Sequence, residues 1–60
     1  MKKAVIRDYA NLVVIMVDGE EFKRIDKDQK GWNLKVNAIS DTLNFEGYEV
    51  KSERFPKTII

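Results

Sequence analysis

Leu12-Val13-Val14-Ile15-Met16-Val17, followed at once by Asp18-Gly19, is the stretch that decides the fold. It is the one unbroken apolar run in the chain, and its β-branched residues favour a strand; a helix would need a longer run with a 3.6-residue period. Asp-Gly is a strong two-residue hairpin signal, because a type I′ turn requires positive φ at both central positions. The chain is therefore expected to fold back after Val17 and to pair Glu20 to Asp26 with Leu12 to Val17. A strand on a half-exposed antiparallel sheet alternates apolar and polar residues. This run does not, so both of its faces call for cover.

Working outward, Lys3-Ala4-Val5-Ile6-Arg7 reads as a first strand and Asp8-Tyr9-Ala10-Asn11 as its turn. Asp26-Lys27-Asp28-Gln29-Lys30-Gly31 is charged and aperiodic, a loop. Beyond it, Trp32, Val36, Ile39 and Leu43 fall at helical spacing, Asn33 is available as an N-cap, and Gly47 stands where a helix-ending glycine belongs. The spacing predicts a helix from about residue 33 to 46. Tyr48 to Glu53 then alternates as a strand, which Pro56 ends because it cannot donate to a ladder. Residues 56–60 are expected to be a tail. The fold class is α+β in the order β-β-β-α-β: an antiparallel meander, one helix packed on a sheet face, and a final strand. The alternative is an all-β small barrel, with Glu46-Gly47 turning a hairpin.

The chain has 60 residues, which bounds it to one domain. A chain of this mass exposes roughly 10,000 Å² unfolded and roughly 4,000 Å² folded. Burial then contributes roughly 90 kcal/mol, and ordering the residues costs roughly the same. Small proteins in that balance add disulfides, a metal or a partner. With no Cys and no His, disulfides and thiolate or imidazole metal sites are excluded, and association remains. The net charge of +1 implies neither a nucleic-acid nor a membrane partner. The apolar run is far shorter than the roughly 20 residues a bilayer span needs. No signal peptide is read after Met1-Lys2-Lys3, and a cytoplasmic location is expected.

No chemistry-bearing motif survives inspection. Asp26 to Gly31 resembles the opening of a calcium loop, but Lys30 would put an ammonium among the ligands and Asn37 stands where a bidentate Glu is needed. Asp18, Glu20 and Glu21 cluster on a convex, wet hairpin tip. The hydroxyls of Ser40, Thr42, Ser52 and Thr58 have no recognisable base beside them. The expectation is a non-enzyme with no cofactor and no small-molecule substrate.

Two surfaces stand out. A two-residue turn at Asp18-Gly19 sets Ile15 opposite Phe22, Val14 opposite Lys23 and Leu12 opposite Ile25. A four-residue first turn sets Ile6 opposite Val13 and Val5 opposite Val14. Ala4, Ile6, Val13, Ile15, Val17 and Phe22 then form the core face, under Val36, Ile39 and Leu43. The second face carries Val5, Leu12, Val14, Met16 and Ile25, rimmed by Lys3, Arg7, Glu21 and Lys23. An apolar centre with a mixed charged rim has the anatomy of a protein interface. It points to a homodimer or a protein partner; the other occupant to weigh is the tail, Phe55 with Ile59 and Ile60. The second surface is the basic middle segment, Lys23, Arg24, Lys27, Lys30 and Lys35 with Trp32, which suits a nucleic-acid backbone and a stacked base. The expected function is a small protein-interaction or regulatory module. The alternatives are a nucleic-acid binder and an inhibitor that docks on a larger enzyme.

Overall fold

The computed structural model describes residues 2–59. Strands β1 (Lys3–Tyr9), β2 (Leu12–Val17) and β3 (Glu20–Asp26) are followed by helix α1 (Trp32–Phe45) and strand β4 (Glu49–Phe55). They form an α+β domain with one open four-stranded sheet in the order β3-β2-β1-β4. The three N-terminal strands are the expected antiparallel meander, and β4 crosses over to pair in parallel with β1. The sheet does not close, so the barrel alternative fails. The apolar strands β1 and β2 occupy the centre, whereas Glu-, Lys- and Arg-rich β3 and β4 take the edges, where charge discourages stray pairing.

Asp18 (φ 52°) and Gly19 (φ 83°) both take positive φ, as a type I′ turn demands. The first connection is shorter than expected. β1 runs on through Asp8 and Tyr9, leaving Ala10-Asn11 as the connection, and Ile6 pairs with Ile15 and Arg7 with Val14. This moves the register by two residues. Side chains alternate with period two, so the division into faces is preserved.

The β2–β3 register does change faces. Met16 pairs with Glu21 but Ile15 pairs with Lys23, so Phe22 is the extra residue of a bulge. Beyond it Val13 pairs with Ile25 and Val14 with Arg24. Ile25, expected on the second face, joins the core at 2% exposure, while Phe22, expected in the core, is 60% exposed at the margin of the helix. The physical reason is the spacing of the strand's two apolar residues. Phe22 and Ile25 lie three apart, so a regular strand would turn them to opposite faces and carry Arg24 and Asp26 under the helix with Phe22. The bulge puts Ile25 inside and both charges outside, which avoids an expensive burial of unpaired charge.

α1 begins one residue before the expected start. Its N-cap is Gly31 in the left-handed region (φ 79°) with no side-chain cap, and Asn33 lies inside the first turn. This start places Trp32 at the head of the stripe Trp32, Val36, Ile39 and Leu43, all packed on the core formed by Ala4, Ile6, Val13, Ile15 and Ile25. At the other end Gly47 (φ 93°) donates its N–H to Asn44 O and Tyr48 donates to Leu43 O, a Schellman motif that satisfies two late carbonyls. Tyr48, partly buried, then packs against the core.

The tail lies along the first connection. Ala10 N–H donates to Lys57 O, and the Asn11 side-chain amide both donates to Ile59 O and accepts from Ile59 N–H. Ile60, the remaining member of the tail expectation, lies outside the described residues.

Candidate interaction surfaces

The helix covers one face of the sheet. The register lays out the other in rows. Glu53, Arg7, Val14 and Arg24 cross it from β4 to β3, and Lys51, Val5, Met16 and Glu21 form the next row. Phe55 and Tyr9 pair at the end of β4 and β1, and their rings stack at 5.1 Å with an interplanar angle of 18°. Leu12, paired with Asp26, completes the apolar set. Of the five residues expected here, Val5, Leu12, Val14 and Met16 share this face, and Ile25 does not. Val5, Leu12 and Met16 are half-buried.

Val14 is only 5% exposed although no helix lies over it. Its direct cross-strand neighbours on this face are Arg7 and Arg24, whose side chains carry long aliphatic stems of the kind that can shield an apolar residue. Arg7, expected on the rim, thus sits beside the centre, and Arg24 takes the place expected for Lys23 because of the bulge. Arg24 Nε is 2.9 Å from Glu21 Oε1, and Arg7 Nε is 3.9 Å from Glu53 Oε1. The longer distance is an ion pair but not a hydrogen bond, and Arg7 Nε is shut off from solvent without an acceptor. The face is electrically balanced: Lys3, Arg7, Arg24 and Lys51 stand against Glu21, Asp26, Glu49 and Glu53.

The basic middle segment does not form a continuous patch. Lys27 Nζ contacts Asp8 Oδ1 and lies 5.0 Å from the centre of the Trp32 ring, so its charge is matched and the ring is covered. Trp32 is half-buried against the core. Arg24 is turned to the open face, paired with Glu21. Lys30 is exposed in the loop. Lys23 and Lys35 remain together: they line a cleft of about 470 Å³ between β3 and α1 with Gln29, Ala38 and Ile39, and Lys35 Nζ is 3.2 Å from Gln29 Oε1. A second cavity of about 220 Å³ shares Ala38 and Ile39 and is lined further by Phe22, Thr42, Leu43 and Glu46.

Sequence reasoning missed Tyr9 as a member of the open face and placed Phe55 there only as part of a tail folded over it, whereas Phe55 is the last residue of β4. The signal was there for Tyr9, which continues the odd-numbered alternation of Val5 and Arg7 and is a good strand former. That Phe55 reaches the face as a strand residue could not be read locally, because its place depends on the parallel register with β1.

No family model, no curated protein and no solved structure matches the chain. Among the described residues no helix is long and apolar enough to cross a membrane.

Proposed function

We propose that the protein is a small cytoplasmic interaction module, without catalytic activity, that works as a homodimer packed through the open sheet face. The observation that carries this reading is the pairing of an apolar set, Val5, Leu12, Val14, Met16 and the Tyr9–Phe55 stack, with a charge-balanced surround. A balanced face does not repel its own copy, whereas a phosphate backbone would meet as many carboxylates as cations there. Arg enrichment beside aromatic and Met side chains is characteristic of interface centres.

Light scattering coupled to size exclusion tests this. The expected mass is twice the 7.0 kDa of one chain, falling to a monomer for Met16→Lys. Met16 is half-exposed, so Lys there keeps its ammonium in water in the monomer, unlike Lys at the enclosed Val14. A wild type that stays monomeric at high micromolar concentration removes the homodimer. Such a monomer would return weight to a docking inhibitor that uses the same face. A nucleic-acid role for Lys23, Lys30 and Lys35 would require retention on heparin near 50 mM salt, declining steeply as salt rises.

A further inference from the structure

We infer that the cleft between β3 and α1 is a peptide site that takes an extended, acidic segment of a partner protein as an added strand along β3. This site is on the other side of the sheet from the proposed dimer face and does not depend on it.

The argument starts from the edge. β3 is the outer strand, so one row of its peptide groups has no neighbouring strand. Lys27 N–H donates to Asn11 O, which sets the phase of the β2–β3 ladder: Lys27, Ile25 and Lys23 are bonded inward. Antiparallel alternation then turns the N–H and C=O of Arg24 outward. An exposed edge of this kind recognises an extended chain through its backbone and reads alternate side chains in pockets behind the edge.

Behind this edge such pockets exist. The 470 Å³ cleft and the 220 Å³ cavity share Ala38 and Ile39 in their walls, so they neighbour each other between β3 and α1. One end is apolar, walled by Phe22, which the bulge leaves 60% exposed, and by Leu43. The other end is walled by Lys23 and Lys35, and no carboxylate lies within 4 Å of either ammonium among the described residues. Charge complementarity therefore specifies the occupant: an extended segment with an acidic side chain at the lysine end and an apolar one at the Phe22 end. A basic segment would meet like charge, and a helix would leave the edge of β3 unpaired.

The test uses the full chain and a phage library of random decapeptides. Selected sequences are expected to place an Asp or Glu close to a β-branched or aromatic residue. Synthetic copies should lose at least tenfold in affinity for the double variant Lys23→Glu, Lys35→Glu. Both positions are exposed, so its circular dichroism spectrum should match the wild type. Amide shifts on binding should centre on β3 and the Lys35–Ile39 turn of α1. Copies N-methylated at alternate residues should bind at least tenfold more weakly. The proposal is overturned by a selection that yields no acidic consensus, by undiminished binding to the double variant, by N-methylated copies that bind equally well, or by shifts confined to Val5, Val14 and Met16. Binding of an oligonucleotide but no peptide to the same lysines would also overturn it, in favour of phosphate recognition.

Discussion

Replacing Ile25 and Phe22 separately by Ala tests the bulge on which the division of β3 depends. Ile25 is 2% exposed, among Val13, Ile15 and the helix stripe. Truncation removes about three methylene equivalents, worth ~0.8 kcal/mol each, and leaves a cavity, for a cost of about 3 kcal/mol. Phe22 is 60% exposed, so less than half of its side chain leaves water and its truncation should cost about 1 kcal/mol. A domain of this length holds roughly 3–9 kcal/mol in total. At ~4–8 °C per kcal/mol, Ile25→Ala should lower the melting temperature by roughly 12–24 °C and Phe22→Ala by roughly 4–8 °C. Thermal and urea melts followed by circular dichroism read both. If Ile25→Ala leaves too little folded protein, Ile25→Val, at about 1 kcal/mol, keeps the comparison measurable. The uninterrupted register makes the opposite prediction, since Phe22 would then be core and Ile25 exposed. A Phe22→Ala variant less stable than Ile25→Ala would refute the bulge and the placement of Arg24 on the open face.

Gly47→Ala should cost about 1 kcal/mol, because φ there is 93° and nothing lies within 4 Å of an added Cβ, so the penalty is backbone conformation alone. An unchanged melting temperature would contradict the Schellman ending of the helix. Asn11→Ala removes both side-chain hydrogen bonds to Ile59, and amide exchange at Ile59 should quicken about fivefold while the core amides of β2 keep their protection. Equal exchange in both proteins would show that the tail is held by something other than Asn11.

Much of the fold was legible because it rests on local patterns. The run Leu12–Val17 with Asp18-Gly19 fixed a hairpin, since the period-two geometry and the positive φ of the turn are properties of a few consecutive residues. The stripe Trp32, Val36, Ile39 and Leu43 with Gly47 fixed a helix despite poor intrinsic propensity, because burial of one face outweighs the propensity differences of its Asn, Ser and Thr. The open-face set Val5, Leu12, Val14 and Met16 followed from parity alone and survived a two-residue error in register.

Tertiary structure decided the rest. No local rule announces the bulge at Phe22; it arises because the helix needs Ile25 beneath it and cannot accept Arg24 and Asp26 there. Nor does any local rule say which edge β4 joins. Its parallel pairing with β1 brings Phe55 to Tyr9 and Glu53 to Arg7, contacts between residues more than forty positions apart. The scattering of the basic segment has the same origin. Lys27 is drawn to Asp8, Arg24 to Glu21, and Lys35 to the groove, because a strand and a helix project neighbouring side chains in different directions. Composition and period determine which residues seek cover, and only the packing of distant elements determines which of them find it.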